Sequence, residues 1–178
     1  DITMEDLPYV YPIRTPGRKE SLYAATYYAC MRIRCDALAK LPIKVLKQEV
    51  QGGTRKMRDH PLWELLALRP NDNMTAYDLI WATEFQRLDT GRAYWVLETD
   101  GRGQVTGIHL LDSKLVQIWI DNTEQGNIKP KVWYIYNDPV KGELFYRPEE
   151  IASFQNFAPD GIQGESIRKY LADVIQNE

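Results

Sequence analysis

The sequence predicts an α+β fold, with helices gathered in the first half and packed against a largely antiparallel β-sheet from the second. Three observations predict it. Apolar residues recur every three or four positions as far as Leu88, the spacing of amphipathic helices. Beyond Gly91 the period drops to two, as in strands whose faces differ. The alternating stretches are separated by turn pairs such as Asp100–Gly101, Asp121–Asn122 and Lys141–Gly142, which suit antiparallel neighbours. A chain of 178 residues, 44% apolar and 26% charged, is sized for one domain with a substantial core.

Each element follows from local signals. Residues 1–20 carry Pro8, Pro12, Pro16 and Gly17 among polar groups and read as an extended N-terminal arm. "SLYAATYYACMRIRCDALAKLP" reads as a helix with Ser21 as N-cap and Pro42 as stop. Its apolar face is expected to be Leu22, Ala25, Ala29, Cys30, Ile33, Ala37 and Leu41, opposite Arg32, Asp36 and Lys40. "PIKVLKQ" alternates as a strand, and Gly52–Gly53 make a turn into a short second strand or loop bearing Arg55, Lys56 and Arg58. "DHPLWELLALRPND" predicts a short helix capped by Asp59, with Leu62, Leu65 and Leu66 on one face and Pro70 as stop.

Thr75 and Asp78 approximate a capping box for the next helix. Tyr77, Trp81, Phe85 and Leu88 form its core stripe, and Gly91 supplies the left-handed stop. "RAYWVLE" then sets Ala93, Trp95 and Leu97 on one face and Tyr94, Val96 and Glu98 on the other. "QVTGIHLLD", "KLVQIWID", "KVWYIYND" and "GELFYR" continue as an antiparallel meander of five strands. One more apolar strand follows "PEE", then a Pro-Asp-Gly turn and the opening of a helix.

The search for chemistry is short. Gly101, Gly103 and Gly107 lie between two strands, whereas phosphate-binding glycines lead into a helix N-terminus, so they read as a hairpin turn. His60 and His109 are the only histidines, and no cysteine–histidine cluster has zinc spacing. No nucleophile elbow occurs. Glu149–Glu150 read as a solvated turn rather than an acid–base pair. Cys30 and Cys35 stand five residues apart on one helix, too far for a bridge, and read as reduced core thiols of a cytosolic compartment. No catalytic, cofactor-binding or metal-binding residue is assigned, no cofactor is expected, and no apolar run is long enough to span a membrane.

Charge is unevenly distributed. Residues 1–60 hold 11 Lys/Arg against 7 Asp/Glu, and the remainder holds 11 against 18. Such polarity suits subunits that meet head to tail. The overall charge of −3 argues against a protein that grips nucleic acid over its whole surface.

Four stretches in order carry a resemblance. "AATYYACMRIRCDALAKLP", "DHPLWELLALRPNDNMT", "GRAYWVLETDGRGQ" with "LLDSKLV", and "EEIASFQNFAPDGIQGESI" together resemble the HK97-type portal proteins of tailed bacteriophages, over about Ser21 to Ile167. Arg92 stands where that family has Asn, Ser153 where it has His, and Ile167 follows Ser166 without the usual proline. The resemblance implies an arm at 1–20, a portal core or wing domain at 21–162, and at 163–178 the start of a helix leading to the stem region.

It also implies a structural subunit, not an enzyme. Such subunits form a homo-oligomeric ring, typically of twelve, at one capsid vertex. The ring passes double-stranded DNA, docks the terminase large subunit, and meets capsid and head–tail adaptor proteins. Its place is the virion, and the host cytoplasm during assembly, with no membrane partner. Two other readings make different predictions. A metal-dependent hydrolase or phosphodiesterase needs acidic residues such as Asp100 and Glu149 to converge, and a monomeric adaptor needs Trp81 and Phe85 to line an exposed groove.

Overall fold

A computed structural model describes residues 18–50, 52–121, 131–158 and 164–169. The fold is α+β, as the change of period predicts. Helix α1 spans Arg18–Ala39, and the hairpin β1 (Leu46–Gln48) and β2 (Thr54–Lys56) follows. Next come α2 (Pro61–Ala67), α3 (Ala76–Thr90), β3 (Arg92–Thr99) and β4 (Val105–Leu111). A 3₁₀ turn (Ser113–Leu115) leads to β5 (Val116–Asp121), β6 (Lys131–Asp138), β7 (Gly142–Tyr146) and β8 (Ile151–Gln155). Residues 167–169 form a further helical turn. The expected arm falls mostly on 1–17, outside the described residues, and α1 begins at Arg18 rather than after Ser21.

The expected five-stranded meander divides into two sheets. One has the order β4-β3-β8 and the other β5-β6-β7, all antiparallel. Asp112 causes the break. Its carboxylate accepts the Lys114 amide at 3.0 Å and caps the 3₁₀ turn, so β5 leaves the plane of β4 instead of pairing with it. The other edge of β3 is taken by β8, with Tyr94 opposite Ser153 and Trp95 opposite Ala152.

The two sheets and two of the helices stack as four layers, α1, α3, β4-β3-β8 and β5-β6-β7. Three apolar clusters bind them. Between α1 and α3, Met31, Cys35 and Leu88 are buried with Tyr27, Trp81, Phe85 and Ile167 against them. Below α3 and α2, Leu79, Trp95 and Ile108 are buried among Leu65, Leu66, Ile80 and Phe154. Between the sheets, Tyr94, Leu111 and Ile151 meet Val116, Tyr134, Tyr136 and Tyr146. β3 therefore has both faces covered, and the predicted alternation decides which side chain enters which cluster: Trp95 points to α3, Tyr94 to the second sheet.

Caps set the helix ends. Thr75 and Asp78 close a full capping box, and Gly91 adopts φ 87°. At α2 the cap is His60, not Asp59. The His60 Nδ1 accepts the Leu62 amide at 3.2 Å, which leaves Pro61 in the first turn where its missing N–H costs nothing.

The α1 reading is reversed. Ala25, Ala29, Cys30, Ile33, Ala37 and Leu41, expected as core, are exposed, and the buried side chains are Met31, Cys35 and Ala39. Both rows have helical spacing, so periodicity cannot choose between them. Asp36 decides. Its Oδ1 accepts the Trp81 indole N–H at 2.8 Å and the Tyr77 hydroxyl at 3.0 Å, so the helix is rotated to bring Asp36 toward α3 while Arg32 and Lys40 stay exposed. Cys30 is accordingly exposed rather than a core thiol, while Cys35 is fully buried.

Candidate interaction surface

Among the described residues no group of three or more His, Cys, Asp or Glu is placed to hold a metal ion. The ionisable groups singled out from the sequence are each spent locally. Asp100 Oδ1 accepts the amides of Arg102 and Gln104, both at 2.8 Å, and so builds the β3–β4 turn, where Gly103 has φ 77°. Glu150 accepts the Arg147 amide at 2.8 Å and holds the β7–β8 turn, beside the exposed Glu149. His109 meets Glu98 at 3.1 Å on the exposed edge of the first sheet. Gly107 lies opposite Glu98 in the ladder, where a Cβ would press on the same carboxylate, and Gly101 sits in the open turn. These residues do not support a hydrolytic site.

Trp81 and Phe85 do not line a groove either. Their rings stack at 5.4 Å and 8° beneath α1. Arg55 and Lys56 lie on exposed β2 and Arg58 in the turn after it, and the Arg55 guanidinium reaches the Met57 sulfur at 3.7 Å. That basic loop is a surface feature without a partner group to define chemistry.

What the resembling stretches do share is a joint. Asn156 donates its amide to the Gly91 carbonyl at 2.9 Å and its side-chain N–H to the Glu165 carbonyl at 2.9 Å. Gly164 lies so close to Gly91 that a Cβ on Gly91 would stand 2.1 Å from the Gly164 oxygen. The Ser166 hydroxyl donates to the Asp89 carbonyl. The Asp89 carboxylate, itself buried, accepts the Tyr27 hydroxyl at 3.1 Å and pairs with Lys114 at 3.2 Å and Arg168 at 3.8 Å. Burial, with Asp89 beside it, pushes the Tyr27 hydroxyl up to about 12. The end of α3, the 3₁₀ turn, α1 and the segment after β8 are thereby clamped at one point.

A second polar knot lies one turn earlier. Arg87 forks onto buried Glu84 at 2.7 and 2.8 Å and donates to Asn156 at 3.1 Å, while Arg34 of α1 approaches Glu84 at 3.8 Å. The hydrogen bonds that Arg87 donates to Glu84 raise its already high pKa. No buried side-chain polar atom among the described residues lacks a partner. Sequence reading found the segments but missed the knots, because Glu84, Arg87 and Asp89 carry no spacing signal that distinguishes them from a solvated helix face.

The motif stretch after α2 works in the same way. Pro70 is buried and its carbonyl accepts the Ile108 amide at 2.8 Å, while Asn71 donates to the Ile108 carbonyl at 2.7 Å, latching the α2–α3 connection to β4. All of this chemistry holds elements together. Among the described residues, two exposed apolar sets stand out: Ile33 on α1, 70% exposed, with Leu41 just past its end, 62% exposed, and the outside of β5-β6-β7 with Trp119 52% and Phe145 60% exposed.

Comparison with known proteins fits this reading. The sequence matches the family described as phage portal protein over residues 25–178. Comparison with curated proteins gives no match. Among solved structures, the neck of an empty GTA particle computed with C6 symmetry superposes with a TM-score of 0.63 at 18% identity, covering 84% of this chain and 38% of that one. The virion of a native gene transfer agent particle gives 0.62 at 18%, covering 94% and 43%. A crystal structure of an HK97 family phage portal protein from Corynebacterium diphtheriae gives 0.51 at 19%, covering 86% and 43%. The chain thus spans less than half the length of these structures, and at such identity they establish a shared fold. Taken with the family match across most of its length, they place the four motifs in one inheritance: the chain belongs to the phage portal protein family.

Proposed function

We propose that this chain is the wing-region part of a portal subunit, which stands in a ring of identical copies at one vertex of a phage-type capsid. The family match over residues 25–178 carries the reading. The stretch before α1 serves as an arm onto a neighbour, the residues from α1 to 162 as the wing domain, and 163–178 begin the helix toward the stem. The full ring has twelve subunits, passes double-stranded DNA during packaging and ejection, docks the terminase large subunit, and later joins head–tail adaptors. It functions in the virion, after assembly in the host cytoplasm. Bond-breaking belongs to the terminase ATPase, and the subunit itself is structural.

Two observations support the reading from below. The polar groups of the joint are consumed in bracing elements rather than gathered around a cleft. Basic residues dominate the first sixty positions and acidic ones the rest, which suits head-to-tail contacts. The test is assembly of the full-length subunit, followed by light scattering and electron microscopy. Closed rings with a central channel are expected. A subunit that stays monomeric across a wide concentration range overturns the reading.

A further inference from the structure

The hairpin of β1 and β2 is the least supported part of the described fold. Its strands pair with each other and with no other strand, and every described residue from Leu46 to Lys56 is exposed. A lone two-stranded ribbon is marginal in water. Charge makes this one weaker still, because Lys47 stands directly opposite Arg55, a like-charge pair that opposes the pairing of the strands. Lys56 projects from the other face, opposite Leu46. Lys44 and Arg58 flank the base, where the Met57 amide donates to the Val45 carbonyl at 2.8 Å. Against these five cations the stretch 43–58 holds one acid, Glu49. None of the five pairs with a carboxylate among the described residues, and the Arg55 side chain turns to the Met57 sulfur instead.

We propose that this ribbon binds the phosphate backbone of duplex DNA without reading its sequence. Cations on both faces suit insertion between two walls of negative charge, and the major groove, about 12 Å wide, admits a two-stranded ribbon. A protein partner fits less well. Protein interfaces are anchored by aromatic side chains and depleted in lysine, whereas 43–58 has no aromatic residue and three of its five cations are Lys. Single strands are held by stacking on aromatic rings, so the same absence favours the duplex. The proposal rests on the portal reading only for the presence of DNA, and it uses no contact between copies.

The test is binding of the full-length subunit to a labelled duplex, followed by fluorescence anisotropy across a range of salt. Lys47→Gln with Arg55→Gln is expected to lower the slope of log affinity against log salt by about 2, and adding Lys44→Gln, Lys56→Gln and Arg58→Gln by about 4–5 in all. Arg102→Gln with Lys141→Gln removes the same charge as the first pair from two other exposed turns and is expected to leave the slope unchanged. Circular dichroism confirms that each variant is folded. No binding by the wild type, an unchanged slope in the hairpin variants, or an equal drop in the control overturns the proposal, and rings seen by electron microscopy then leave the ring reading standing. Single-stranded DNA that competes better than unlabelled duplex also overturns it. Polyglutamate that competes as well as the duplex at equal charge overturns it in favour of an acidic protein partner. Folded hairpin variants that no longer form rings overturn it too, assigning the ribbon to a contact between copies. A subunit that stays monomeric yet loses DNA with the hairpin cations keeps the proposal and sinks the ring reading.

Discussion

The two three-stranded sheets of this molecule have the same size and opposite surroundings. β4-β3-β8 is covered by helices on one side and by the second sheet on the other, so Ala93, Tyr94 and Trp95 are buried in succession. β5-β6-β7 is covered on one side only, and its outer face carries aromatic rings into solvent. Large apolar side chains on both sheets therefore have different purposes. In the first they generate stability, since each fully buried side chain of this size contributes about 1.5–3 kcal/mol. In the second, the outward rings contribute little to folding.

Removing matched tryptophans is the strongest way to break that contrast. Trp95→Ala takes a ring from between α3 and Phe154, which it meets at 4.4 Å, and is expected to cost about 3–5 kcal/mol in chemical denaturation. Trp119→Ala is expected to stay within about 0.5 kcal/mol in the same experiment. Equal losses would mean that the outer ring is part of the folding core. Gly91→Ala comes next, at about 2–3 kcal/mol, because φ 87° disfavours any Cβ and the Gly164 carbonyl occupies its space. Gly101→Ala, in the open β3–β4 turn, serves as its control and is expected to change stability little.

The same contrast explains what was legible in the sequence. Thr75, Asp78 and Gly91 announce α3 because capping chemistry is local, and the alternation of β3 is local too. The division into two sheets was not legible, since it depends on β8 returning across more than fifty residues to β3. The inward face of α1 was not legible for a different reason. Tyr27, Met31 and Cys35 compete with Ala29, Ile33 and Ala37 as equally periodic rows, and the choice is made by Trp81 and Tyr77 on another helix. The exposed apolar row misled the sequence reading because its spacing is that of a core face. His60 displaced Asp59 as cap because a single-residue shift in a helix start is worth little in sequence terms.

Thr83 sharpens the comparison at the level of a single hydrogen bond. Its hydroxyl accepts the Trp95 indole N–H at 2.7 Å and donates to the Leu79 carbonyl at 2.6 Å, all within the buried layer. Thr83→Val keeps the shape and leaves the indole donor without an acceptor, so a loss of about 1–3 kcal/mol is expected. Thr106→Val, on the exposed side of the first sheet, removes only a long bond of 3.4 Å to the Glu98 carbonyl. Thermal denaturation of the two variants should separate clearly. Coincident curves would show that the indole finds another acceptor or that water reaches it.

The smallest effect tests the α1–α3 layer through pH. Hydrogen bonds from Trp81 and then Tyr77 to the Asp36 carboxylate hold its pKa below the ordinary 3.8. A carboxyl with a depressed folded pKa contributes stability that is fully present above its unfolded pKa and disappears as pH falls through the folded one. The wild-type protein should therefore lose a fraction of its thermal stability between about pH 4 and about pH 2 that Asp36→Asn does not lose. Above that window the variant should melt slightly lower than wild type, since a neutral amide oxygen accepts the same two donors less strongly. Because Asp36 sits at the rim of the layer rather than inside it, the two melting curves should converge in acid instead of crossing. A variant that melts above wild type at neutral pH would mean that the ionised carboxylate is a burden on α1, and that the helix is oriented by its apolar row alone.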